Sequence, residues 1–210
     1  MKESPELCLI FEGADNVGKS TLIKRVVDKI ENGDVSVIRQ PSSNNIVGFL
    51  RKEVKENPTY NPLERQLLHT VTHLVDLCSS FNTSTPLVIM DRSPLSAFPY
   101  GKTLGLSEEE IELIYKVNIL PYSAYFKQNK IKVVVVYIAN EKPFQEDESQ
   151  VYKNLNWETI SSEYRQLMSG KSKVNLPSEW EVIPIVNSDV EETAEKIVKI
   201  IQEKSTTRTL

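Results

Sequence analysis

The sequence predicts an α/β fold, a doubly wound, mostly parallel five-stranded sheet flanked by helices, and three observations predict it. Strand-like and helix-like segments alternate along the chain, as they do when each parallel strand returns through a helix. The runs Leu7 to Phe11 and Val133 to Ile138 are continuously apolar, which suits strands covered on both faces. A glycine-bearing loop, Gly13 to Ser20, joins the first of these runs directly to a helix-like segment.

After that loop, Leu22, Ile23, Val26, Val27 and Ile30 recur at helical spacing, and Asn32-Gly33 supplies a stop. Val35 to Ile38 reads as the second strand. Asn61-Pro62-Leu63-Glu64 opens a helix with an N-cap Asn, a first-turn Pro and a Glu placed to close a capping box. Leu87 to Met90 is the third strand and runs into Asp91-Arg92-Ser93. Ser107 with Glu110 caps another helix; Val133 to Ile138 and Val182 to Val186 are the fourth and fifth strands. Val190, Ala194, Ile197, Val198 and Ile201 mark a final amphipathic helix, and the polar tail from Ser205 reads as frayed. The whole of 1–210 is expected to form one domain, with the polar stretch around 140–153 as a small lid.

Composition narrows the functions available. The 210 residues are 40% hydrophobic and 26% charged, with a formal net charge of -4, ordinary values for a globular chain. No basic stripe appears, so a nucleic acid polymer is not expected as a partner. The apolar runs are too short for a bilayer span, and the N-terminus lacks the apolar core of a signal peptide, so a cytoplasmic protein without membrane contact is expected. Cys8 and Cys78 have no metal or redox spacing and read as buried free thiols.

The chemistry is concentrated in Gly13-Ala14-Asp15-Asn16-Val17-Gly18-Lys19-Ser20, a complete Walker A pattern between a strand and a helix. Glycines let successive N–H groups curl toward phosphate oxygens, and the helix that follows presents its positive end to the same anion. Gly13, Asn16, Val17, Gly18, Lys19, Ser20 and Thr21 are therefore the expected ATP-binding residues. Lys19 reaches the β and γ phosphates, and Ser20 is the expected Mg²⁺ ligand. Asp91-Arg92-Ser93 follows a buried strand, which places it at the carboxyl edge of the sheet beside that loop. There Arg92 can bridge donor and acceptor phosphates, and Asp91 can hold Mg²⁺ directly or through water.

The run FEGADNVGKST resembles the P-loop of thymidylate kinases, which carry the form E-G-x-D-x-x-G-K-S/T. Arg39-Gln40-Pro41 with Val47 and Gly48 is similar to the family's second-strand motif. Leu67 to His73 aligns with its base-pocket helix, and Asp91-Arg92-Ser93 through Ser96 and Tyr100 with its D-R-Y segment. Tyr152, Trp157, Ile160 and Tyr164 follow the spacing of the helix after its lid. The resemblance implies a P-loop kinase fold and a reversible transfer of the ATP γ-phosphoryl to dTMP in dTTP synthesis. It also implies a homodimer. Asp15 would hold the acceptor's sugar hydroxyl and orient Arg92, leaving Asp15, Lys19 and Arg92 as the expected catalytic residues. Acceptor contacts would come from Arg39, Pro41, Phe49, His69 and His73, and from Ser96, Tyr100 and Tyr152.

Several positions depart from the family. His69 stands where an aromatic stacks on the base, His73 where an arginine bonds it, Gln40 where an aromatic precedes the proline, and Ala97 where some members are polar. Acceptance of dUMP or a 5-substituted pyrimidine is compatible with these changes. The P-loop carries Asn16 and the lid region no arginine, leaving Lys142 and Lys153 as point charges without bidentate geometry. Glu146-Asp147-Glu148 reads as a solvated lid surface. Two alternatives stay open at this level: a deoxynucleoside kinase, which needs a base where Gln40-Pro41-Ser42 offers no carboxylate, and a catalytically weak nucleotide-binding regulator.

Overall fold

The computed structural model describes residues 5–30, 34–42, 45–81, 83–144 and 156–205. Among them five strands form one sheet: β1 (Leu7–Glu12), β2 (Val35–Arg39), β3 (Leu87–Asp91), β4 (Lys132–Ile138) and β5 (Trp180–Ile185). The order is β2-β3-β1-β4-β5, and every neighbouring pair is parallel. The sheet is thus wholly rather than mostly parallel. Register brings the strand ends level, with Phe11 opposite Asp91, Arg39 opposite Asp91 and Glu12 opposite Tyr137. The loops after β1, β2, β3 and β4 therefore leave the sheet side by side.

Helices cover both faces, because the strands are apolar on both. Along β1, Cys8 and Ile10 enter the core beneath α3 (Pro62–Ser80) and α5 (Glu108–Gln128). Leu7, Leu9 and Phe11 enter the opposite core with α1 (Lys19–Asp28) and α7 (Val190–Ser205). This is the period of two expected of a pleated strand. The predicted capping boxes form at both sites: Asn61 with Glu64 begins α3, and Ser107 with Glu110 begins α5. Burial pushes the Cys8 thiol well above its ordinary pKa, consistent with an inert core residue. The Cys78 side chain and the Asn32-Gly33 stop lie outside the described residues; α1 ends before them, at Asp28.

Two helices are not set out by spacing in the sequence. α2 (Asn45–Glu56) leaves Ile46 and Phe49 exposed and buries Val47 and Val54 against α3. α4 (Ala97–Thr103) contains Pro99 and Gly101, both helix breakers by propensity, and forms because it packs against α6 (Trp157–Met168) and α5. β5 spans Trp180–Ile185 rather than Val182 to Val186, since its pairing with β4 begins at Trp180 opposite Val133. As an edge strand it tolerates Pro184.

Candidate functional site

The P-loop leaves β1 through Gly13 at φ 144°, where a Cβ would lie 2.8 Å from the Ile138 carbonyl oxygen, so the close approach of β1 and β4 requires glycine. Gly18, at φ 80°, ends the loop and is the N-cap of α1 without any side-chain capping bond. Capping by side chain is impossible for glycine. The first-turn N–H groups of α1 are thereby left for an anion, with the helix dipole behind them. Lys19 is buried, and its Nζ donates to the carbonyls of Gly13 at 2.9 Å and Ala14 at 2.5 Å. Burial first, and the charge of Arg92 second, push its pKa down to about 7.

A cleft of about 430 Å³ opens over this loop, lined by Asp15, Asn16, Gly18 to Thr21, Arg39, Asp91, Arg92 and Phe144. On one wall Ser20 Oγ donates to Asp91 Oδ2 at 2.9 Å. Facing them, Arg92 takes φ 70° while its N–H donates to the Phe11 carbonyl at 3.1 Å. Its Nη2 pairs with Asp15 Oδ1, and Tyr100 OH donates to the other Asp15 oxygen. The Arg92 guanidinium also lies 5.8 Å from the Tyr100 ring centre. Trp157 Nε1 holds the Asp15 carbonyl at 2.8 Å, and so ties α6 to the loop.

Behind Arg92 lies a residue that sequence reasoning missed. Glu12, the last residue of β1, is wholly buried. Its Oε1 accepts from Ser93 N and Ser93 Oγ, each at 2.7 Å, and its Oε2 from Ser96 Oγ at 2.9 Å and Tyr164 OH at 3.0 Å. Burial pushes its carboxyl above the usual range, with Arg92 and the Ser93, Ser96 and Tyr164 bonds pulling against it. A carboxylate at the end of an apolar run is more often exposed than enclosed, so spacing carries no signal of this role.

Most of the sequence-predicted donor-side residues meet in the cleft. The acceptor-side set is more dispersed. Arg39 lines the cleft; Ser96 and Tyr100 reach it through Arg92 and Asp15. Pro41 is half-buried at the end of β2, and Phe49 is exposed on α2. His69 is half-buried on α3, and burial with Arg51 and Arg65 pushes its pKa down to about 4. His73, one turn on, is buried with Nδ1 3.2 Å from Gln40 Oε1, and burial with His69 and Arg51 pushes it down to about 3. Both rings are neutral at pH 7. Gln40 is also bonded by Tyr122 OH at 2.8 Å. Tyr152, Lys153 and the acidic run 146–148 lie outside the described residues, as does most of the lid region.

The start of that region is described and touches the P-loop. Phe144 N donates to the Asn16 carbonyl at 2.8 Å, and the Phe144 ring lies against Gly18. The Asn140 side chain, after β4, clasps the Asn187 backbone, after β5, with Nδ2 donating to its carbonyl at 3.1 Å and Oδ1 accepting from its N–H at 2.8 Å, and Asn187 Nδ2 donates to the Val17 carbonyl at 3.1 Å. The segments after β4 and β5 thus clasp the loop that follows β1.

Comparison with known proteins agrees with this geometry. The family profile described as thymidylate kinase matches residues 11–190. The chain is 25% identical over 193 residues to a probable thymidylate kinase of Sulfurisphaera tokodaii, covering 91% of this chain and 93% of the relative. It is 25% identical over 172 residues to a probable thymidylate kinase of Sulfolobus acidocaldarius, covering 79% and 84%. In fold it resembles the thymidylate kinase of Candida albicans, with a TM-score of 0.63, 15% identity and coverage of 96% of this chain and 93% of the other. The Ehrlichia chaffeensis thymidylate kinase gives a TM-score of 0.60 at 16% identity, covering 94% and 99%.

Proposed function

The chain belongs to the thymidylate kinase family, and from that premise we infer how its residues carry out the transfer of the ATP γ-phosphoryl to dTMP, giving dTDP. It is a nucleoside monophosphate kinase. The observation that carries the assignment of roles is that the uncapped N-terminus of α1 and Lys19 face the Asp15–Arg92 pair across one cleft. Donor triphosphate binds the loop, where its oxygens replace the Gly13 and Ala14 carbonyls as partners of Lys19. Arg92 neutralises charge on the transferring group, and Asp15 holds both Arg92 and the acceptor's sugar hydroxyl. Arg39 adds positive charge on the acceptor side. The reaction needs positioning and charge neutralisation more than proton abstraction.

Mg²⁺ fits the residues present. Ser20 and Asp91 offer hard oxygen donors 2.9 Å apart on the cleft wall, and these two would hold it. When bound, it would offset the negative charge of the triphosphate. His69 and His73 lie on one helix beside the end of β2, and we assign them to the acceptor side as neutral groups. A homodimer and a cytoplasmic location complete the proposal; among the described residues no helix is long and apolar enough to cross a membrane.

A nucleoside kinase is disfavoured by the chemistry of the β2 end. Gln40, Pro41 and Ser42 bring no carboxylate of their own; the Asp76 carboxylate that reaches them is buried and accepts from Ser42 N at 2.6 Å, and the Glu12 carboxylate at the end of β1 already has four donors. The test is coupled ADP release with Mg-ATP against dTMP, dUMP, dCMP, dGMP, UMP and thymidine. Stimulation by dTMP is expected; stimulation by thymidine alone would sink the monophosphate reading.

A further inference from the structure

Arg92 is held from behind as well as from the front. Its Nη1 donates to Ser96 Oγ and to Tyr164 OH, each at 3.3 Å. A guanidinium has donors only, and each hydroxyl has a single proton. Both hydroxyls can accept from Arg92 only while their own protons point elsewhere. Tyr164 OH and Ser96 Oγ are 2.9 Å apart, so one could donate to the other, but that leaves the second without a place for its proton. The Oε2 of Glu12 lies 2.9 Å from Ser96 Oγ and 3.0 Å from Tyr164 OH and takes both.

We propose that Glu12 is a positioning residue for the phosphoryl transfer, its carboxylate setting the proton direction of Ser96 and Tyr164 so that both hydroxyls turn lone pairs to Arg92 and fix the guanidinium in the cleft. The inference rests on the kinase reading above. Burial raises the stakes at Tyr164, which is wholly enclosed, because there a hydroxyl pointing its proton at the guanidinium has no solvent to turn to.

The Glu12→Gln substitution separates this role from a purely structural one. Ser93 N–H is a backbone donor 2.7 Å from Oε1, so the glutamine carbonyl must face it. The amide NH₂ must then face Ser96 and Tyr164, which reverses both hydroxyls while conserving shape and the Ser93 bond. The measurement is kcat and KM for ATP and dTMP, with melting temperature, for Glu12→Gln, Arg92→Ala and the double variant. Glu12→Gln is expected to lower kcat about tenfold or more with the KM for ATP within about threefold, and to change kcat by less than about twofold once Arg92 is alanine. A loss of equal size in both backgrounds, or a kcat within about twofold of the parent, overturns the proposal. If Glu12→Gln gives no cooperative melting transition, Ser96→Ala with Tyr164→Phe is measured in the same two backgrounds against the same criterion. An unsubstituted chain that releases no ADP with dTMP overturns the kinase reading instead, a result these variants cannot mimic.

Discussion

Arg92 sits at φ 70°, a left-handed conformation that costs a non-glycine residue about 1 kcal/mol or more. Its surroundings enforce it: the N–H bond to Phe11, the pairing with Asp15, and the hydroxyls of Ser96 and Tyr164. A residue so held acts through its position, so Arg92→Ala should cut kcat by roughly 10²–10³ while the dissociation constant for ATP changes by less than about threefold. Equal losses in the two would count against a transition-state role. Lys19 supports a prediction of another kind. With its pKa near 7 in the free protein, it is largely neutral at pH 8 and largely charged at pH 6. Bound triphosphate requires the charge, so Mg-ATP binding should take up a proton at pH 8, weaken as pH rises above 7, and take up almost none at pH 6. Calorimetry in buffers of different ionisation heat reads the proton count directly, and the same count at both pH values would refute the assignment.

At the level of elements, α3 joins the most legible feature of the sequence to the least legible. Its capping box was readable from Asn61 and Glu64, and Asn61→Ala should cost about 1 kcal/mol, measured as a shift in denaturation midpoint at constant slope. The burial of His69 and His73 farther along was not readable, because helical spacing gives a shared face but not its neighbours. Their folded pKa values, about 4 and about 3, lie below the ordinary 6.5. The unfolded chain therefore binds more protons below pH 6.5, and stability should fall as pH drops from 6.5 toward 3. His73→Gln should flatten that slope between pH 6.5 and 5, above the range where most carboxylates titrate; an unchanged slope would show that the ring is solvated. The strands and the long helices were legible because their apolar patterns repeat. α4 was not, since Pro99 and Gly101 contradict the helix that tertiary packing imposes, and Glu12 was not, since four donors from distant parts of the chain justify its burial.

For the molecule as a whole, the site belongs to no single element. The P-loop, Arg39, Asp91-Arg92, Asn140 and Asn187 come from the ends of five strands, and a ligand seated there binds only the folded chain. Mg-ATP at about one hundred times its dissociation constant should add about 2.7 kcal/mol of stability, seen as a rise in melting temperature that Lys19→Ala removes. A parallel sheet also sends every return connection to the opposite rim, away from the cleft. At that rim the connection from α6 to β5 turns at Gly170, φ 69°, and runs on through the exposed Lys173. The chain thus has two borders with different freedom to change. Along the cleft border a one-residue insertion shifts a ligand contact, whereas at residues 172–173, just past the Gly170 and Lys171 N–H bonds that close α6, a peptide tag, a reporter domain or a new pair of termini could be grafted with catalysis intact.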